Sequence, residues 1–209
     1  MREIAQALPN IEVRGGEPMS LHTSLRIGGT VRAMVFPKTE GELIESGRAL
    51  RRMRISPLLI GAGTNLLVSD AALDIVVIRT VPGVGELKIL GERSDRLVFA
   101  SCGVTLPRLS AFARDNGLGG AEFMHGIPGS VGGAVCMNAG AYGSEMSDIV
   151  RLVTAQSEDG KVFDTAGQDC GFSYRHSGYA DDNSVVLSVV IELIDKEPDD
   201  IRRDMQKYD

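Results

Sequence analysis

A chain of 209 residues with 43% hydrophobic and 24% charged content can build one large domain or two small ones around a real core. Its net charge of −6 disfavours a nucleic-acid binder, and no run of 18 apolar residues or leader segment marks a membrane or secreted protein. Three cysteines, Cys102, Cys136 and Cys170, without a C-x-x-C pair fit reduced thiols in a cytoplasmic protein. The three histidines, His22, His125 and His176, lack metal-ligand spacing and read as local hydrogen-bonding residues, so no metal is expected.

Residues 1–20 read as a loosely structured lead-in, and residues 20–29 as a strand-like run ending in a glycine pair. A short strand over 32–36 stops at Pro37. Thr39, with Glu42 three residues on, opens a helix by a capping box. Leu43, Ile44, Gly47, Leu50 and Met53 form its apolar face, and Arg48, Arg51, Arg52 and Arg54 its solvated one. Residues 57–60 read as a buried strand. A turn at Gly61-Ala62-Gly63-Thr64-Asn65 and a strand over 66–68 follow, then a further strand over 75–78. Residues 1–80 thus form a β-α-β-turn-β-β unit.

Val81-Pro82-Gly83 marks a boundary. Residues 86–90 and 97–102 predict a hairpin. Thr105 caps a helix with Pro107 in its first turn, with Leu106, Leu109, Phe112 and Ala113 inward, and Asn116-Gly117 ends it. Residues 149–156 and 161–164 predict a hairpin turned at Asp159-Gly160. Phe172 to Arg175 reads as a loop or short strand. Residues 185–193 predict a long strand with Val185, Leu187, Val189, Ile191 and Leu193 on one face. This second unit covers 81–195. Pro198 opens a last helix with Ile201, Met205 and Tyr208 on one side, and 196–209 reads as the start of a further domain.

Two glycine-rich segments carry the chemistry. Residues 126–143 hold six glycines and no charged residue. Ile127, Val131, Val135 and Met137 predict burial, so the backbone approaches either another segment or a large, flat, partly anionic ligand. Ser130, Asn138 and Tyr142 are its polar groups, able to meet ring heteroatoms or to satisfy backbone locally. The turn at Gly61 suits a diphosphate, because successive N–H groups make an anion nest and Thr64 and Asn65 add donors. A plain strand connection is the alternative. The familiar nucleotide loops are absent: no glycine precedes Lys-Ser or Lys-Thr, and Leu66 stands where a G-x-G-x-x-G motif needs its third glycine. Arg175 offers a planar fork for a carboxylate, or an ordinary surface charge.

Taken together, four segments resemble the UDP-N-acetylenolpyruvoylglucosamine reductase family, also called UDP-N-acetylmuramate dehydrogenases. They are residues 22–29 (HTSLRIGG), 61–70 (GAGTNLLVSD), 122–143 and 172–177 (FSYRHS). The resemblance implies an α+β FAD-binding fold of two subdomains, of the PCMH type, with noncovalent FAD between them. It implies NADPH-dependent reduction of UDP-N-acetylglucosamine enolpyruvate to UDP-N-acetylmuramate in peptidoglycan synthesis. Gly61, Ala62, Gly63, Thr64, Asn65 and Leu66 would lie at the pyrophosphate. Gly126, Ile127, Pro128, Gly129, Ser130, Gly132, Gly133, Asn138, Gly140, Ala141 and Tyr142 would line the isoalloxazine and the rest of the cofactor. Tyr174 and Arg175 would bind substrate, and Arg175 would stabilise the enol-type intermediate through the substrate carboxylate.

The family continues into a substrate domain whose serine protonates that intermediate and whose glutamate pairs with the arginine, and neither has a match here. Poor turnover by the 209-residue chain is therefore expected. A non-catalytic flavin-binding module is the alternative, as is another oxidase of the same flavin-fold superfamily, for whose covalent His or Cys attachment no match is found.

Overall fold

A computed structural model describes residues 1–208, which form two main β-sheets laid down one after the other along the chain, with two small two-stranded pairs in the second half. The first unit runs α1 (Arg2–Ala7), β1 (Glu12–Pro18), β2 (Thr30–Phe36), α2 (Glu40–Arg52), β3 (Leu58–Ile60) and β4 (Leu73–Arg79). Its sheet has the order β1-β2-β4-β3, antiparallel between β1 and β2 and parallel across β2, β4 and β3. The central strand β4 buries Val76, Val77 and Ile78 in succession, the pattern of a strand covered on both faces.

Several local expectations are corrected here. Residues 1–20 are ordered: α1 puts Ile4 and Leu8 into the core and β1 pairs along β2. The charges of β1 hid it, because an edge strand carries polar residues that blunt further pairing. Residues 20–29 are not a strand. They leave a short 3-10 turn (Met19–Leu21) and fold onto the loop after β3, where Gly29 N donates to Ser69 O at 2.8 Å. Residues 66–68 find no ladder partner, and Leu67 is 82% exposed. The buried strand expected at 57–60 is an outer strand with Leu58 exposed. At the start of α2, Thr39 Oγ1 accepts from Glu42 N at 3.1 Å, but the Glu42 carboxylate accepts from Lys38 N at 2.7 Å, one residue short of a closed capping box.

The second unit contains β5 (Leu87–Leu90), β6 (Leu97–Ser101), α3 (Leu106–Asp115) and β7 (Leu118–Gly119). There follow α4 (Val131–Cys136), the small hairpin β8 (Gly140–Ala141) and β9 (Ser144–Glu145), and α5 (Met146–Ile149). The chain closes with β10 (Val150–Gln156), β11 (Val162–Ala166), β12 (Val185–Glu192), β13 (Ile194–Asp195) and α6 (Pro198–Gln206). Its main sheet has the order β11-β10-β12-β6-β5 and is antiparallel throughout. Strand β12 lies at its centre, so Val185 to Val189 are all buried and the single apolar face expected for it is doubled. Thr105 makes no side-chain cap for α3; it forms a bridge to Ser130 instead.

One core cluster runs through both units, joining Val35, Leu43, Leu50 and Ile78 to Val98, Leu109, Val153 and Leu187. A polar brace reinforces it. Gln156 in β10 is fully buried; its Nε2 donates to Ile44 O at 3.1 Å and Gly160 O at 3.3 Å, and its Oε1 accepts from Arg51 at 2.8 Å. Arg48 donates to Gly160 O at 3.1 Å. Arg48 and Arg51 therefore reach the second sheet, which corrects their assignment to a solvated face. A Cβ on Gly47 would stand 2.2 Å from Gln156 Oε1, so only glycine lets α2 come this close. Among the described residues no helix is long and apolar enough to cross a membrane.

Candidate functional site

The site begins where β3 ends. The chain leaves Ile60 and turns through Gly61, Ala62, Gly63, Thr64, Asn65 and Leu66. Gly63 has φ +68°, and a Cβ there would lie 1.9 Å from His22 O. A Cβ on Gly61 would lie 2.0 Å from Ser130 Oγ, so the two glycine-rich segments meet at this point. Among the described residues, no backbone N–H from Gly61 to Asn65 donates a hydrogen bond to the protein, and neither do those of Gly129 and Ser130. The Thr64 and Asn65 side chains are equally unengaged. Backbone donors are paired almost everywhere in folded proteins, so this concentration of free ones fits an anionic group such as a diphosphate.

The turn rests on a polar chain absent from the sequence reading. Arg79 closes β4 beside Ile60, and its guanidinium meets His22 Nδ1. His22 Nε2 lies 2.8 Å from Glu17 Oε1, which also accepts from Arg14 at 3.2 Å. A guanidinium can only donate, so His22 Nδ1 accepts and Nε2 carries the proton given to Glu17. Burial pushes the Glu17 carboxyl up, but the hydrogen bonds from His22 and Arg14 leave it below its ordinary value. Burial lowers the Arg79 guanidinium from its usual range. The one sequence signal for Arg79 is an arginine ending the apolar run Val76-Val77-Ile78.

The segment 126–143 is not uniformly buried as expected. Gly126, Pro128 and Tyr142 are exposed, while Ser130, Val131 and Val135 are buried. Its glycines serve different ends. Gly132 packs α4 on the second sheet, its N–H donating to Cys102 O at 2.8 Å, and Gly140 closes the small hairpin. Gly129 and Gly133 would each admit a Cβ at ordinary contact distance, 3.6 Å from Leu106 and 3.5 Å from Ser130 Oγ. Ser130 caps α4 and Asn138 lies two residues past its end. A ligand running from Gly61 towards Asn138 would therefore follow a helix about 9 Å long.

Beyond α4 lies a cleft of about 450 Å³ lined by Asn138, Gly140, Ala141, Gly143, Ser144, Glu145, Asp148, Tyr174 and Arg175. Arg175 has φ +52° and makes no hydrogen bond or ion pair among the described residues. Tyr174 beside it is 89% exposed. Glu145 and Asp148 were not singled out from the sequence. The Ser147 hydroxyl, 2.6 Å away, and the nearby Asn138 amide hold the Glu145 carboxyl below its ordinary value. Two candidate polar groups are engaged within the protein. Asn138 Nδ2 donates to Ser173 O and its Oδ1 accepts from Ser147 N. Tyr142 stacks on Tyr208, centroids 4.0 Å apart, and its hydroxyl donates to Tyr208 O at 2.8 Å.

A family model described as an FAD binding domain matches residues 31–166. UDP-N-acetylenolpyruvoylglucosamine reductase of Syntrophomonas wolfei is 36% identical over 206 residues, taking in 99% of this chain and 68% of that protein. The protein of the same name from Bacillus licheniformis is 36% identical over 211 residues, again 99% and 68%. The solved UDP-N-acetylenolpyruvylglucosamine reductase of Thermus caldophilus superposes with a TM-score of 0.79 at 29% identity, over 95% of this chain and 68% of that one. About a third of each of these relatives lies outside the match.

Proposed function

The chain belongs to the UDP-N-acetylenolpyruvoylglucosamine reductase family, and from that membership we propose that it is the FAD-binding part of a cytoplasmic, NADPH-dependent reductase of UDP-N-acetylglucosamine enolpyruvate. The observation that carries this reading is the row of free N–H donors from Gly61 to Asn65, set against Ser130 in a chain without either familiar nucleotide loop. Noncovalently bound FAD supplies the acceptance of hydride from NADPH and its delivery to the enol ether carbon.

The chain's own residues bind and orient. The Gly61 turn donates N–H groups to the diphosphate, and the Glu17–His22–Arg79 chain keeps that turn in place. Arg175 takes the substrate carboxylate with two parallel N–H donors and stabilises the negative charge that grows there as hydride arrives. Glu145 and Asp148 repel an anion from the rest of the cleft, which leaves Arg175 as its place. Tyr174 offers its ring beside the guanidinium.

The test is an absorbance spectrum of purified protein, then NADPH titration with and without the enolpyruvyl sugar nucleotide. Flavin bands that bleach with NADPH and return slowly on substrate addition are expected. Protein that takes up no FAD overturns the reading. Bleaching with no substrate-dependent return favours a non-catalytic flavin module, and flavin left on acid-precipitated chain favours another oxidase.

A further inference from the structure

We propose that Asn138 is a positioning residue that sets the direction of Arg175. This rests on the substrate-binding role given to Arg175 above. Tyr174 and Arg175 are the two central residues of a turn closed by Ser173 and His176, whose N–H and C=O groups pair in both directions at 3.0 and 3.1 Å. At the surface edge of the turn, His176 Nε2 lies 3.2 Å from the exposed Asp181 carboxylate. The turn is held from both sides by the end of α4. On one side Asn138 Nδ2 donates to Ser173 O at 3.1 Å, and on the other the fully buried Ser177 donates its hydroxyl to Cys136 O at 3.0 Å.

Asn138 is suited to this place. It is 3% exposed with φ +41°, a left-handed conformation that asparagine accepts better than most residues. Its Oδ1 is fixed by Ser147 N at 3.0 Å, which orients the amide so that Nδ2 points at Ser173. The same helix end that follows the glycine segments thus also holds the guanidinium. Arg175 has no partner of its own among the described residues, so its direction follows from the anchored turn.

Two variants separate positioning from folding. Asn138→Asp keeps the acceptor for Ser147 N and loses the donor to Ser173 O. Asn138→Gly suits the left-handed backbone and removes both bonds. In native protein, both are expected to raise tryptic cleavage after Arg175 by about tenfold, the factor of one buried hydrogen bond, while cleavage after Arg54 in the turn beyond α2 stays unchanged. Unchanged cleavage after Arg175, or an equal rise at both sites, overturns the proposal.

The second measurement follows flavin absorbance of holoprotein titrated with the enolpyruvyl sugar nucleotide. Asn138→Gly, which adds no charge to the cleft, is expected to weaken binding by about tenfold in the parent and not at all in an Arg175→Ala background. Additive losses overturn the proposal. A parent protein that shows selective cleavage in the variants but binds no sugar nucleotide overturns the substrate reading and leaves the Asn138 anchor standing.

Discussion

Gly63 is the residue of the turn after β3 that no side chain can replace. An alanine there must adopt a left-handed conformation, costing about 1–2 kcal/mol, and must also move the backbone carbonyl of His22. Gly63→Ala should lower the melting temperature and abolish FAD uptake measured by flavin fluorescence. Gly61→Ala meets the Ser130 hydroxyl, which can turn away, and Ser130 Cβ at 3.0 Å, which asks a small shift, so it should keep more of the stability than Gly63→Ala and lose FAD affinity. The thiols behave oppositely to reactive ones. Burial pushes Cys102 up to about 12 and Cys136 up to about 11, from an ordinary value of 9.0. Both favour the fold below pH 9, and that contribution is lost as pH rises towards 11 and 12. Native protein at pH 8 should therefore react with a disulfide reagent far more slowly than urea-unfolded protein. The glycines of the turn could be read from sequence because their requirement is local. The engagement of Asn138 could not, because its partners Ser147 and Ser173 lie 9 and 35 residues away.

The element that sets the two sheets against each other is α2, through Gln156. Gln156→Ala would leave the half-buried Arg51 guanidinium without its acceptor and take one donor each from the carbonyls of Ile44 and Gly160, and should cost about 1–2 kcal/mol in urea unfolding. Helix α6 is held differently. Lys196 donates to Glu122 at 2.8 Å and to Asp204 at 2.6 Å. Hydrogen bonds from Lys196 and Lys207 hold the Asp204 carboxyl at about 2, below its ordinary 3.8. Its contribution is therefore present above pH 3.8 and lost as pH falls towards 2. Amide exchange in α6 should accelerate between pH 4 and 2 relative to β12, and Lys196→Met should shrink that difference to the part that Lys207 maintains. Strands such as β12 announce themselves by an unbroken apolar run. Strand β1 does not, since an outer strand is charged, and Leu66 and Leu67 mislead because apolar residues also occupy exposed loops.

At the scale of the molecule, the first sheet's last strand ends at Arg79 and the second sheet's first begins at Leu87, on either side of Val81-Pro82-Gly83. The order of strands could not be read from the sequence. Pairings such as β12 with β6 join residues about ninety positions apart, and no local pattern encodes them. The candidate site shares this character: its glycine segments were plain in the sequence, and their contact at Gly61 and Ser130 follows only from the fold.

The placement of β12 also bears on how the protein is made. It is the last strand of its sheet to be synthesised and the one that lies in the middle. Until it leaves the ribosome, β6 and β10 each present an unpaired edge with no neighbour to cover it. The second unit must therefore wait until Glu192 has been made before it can close, while the first, complete by Arg79, is free to fold ahead of it.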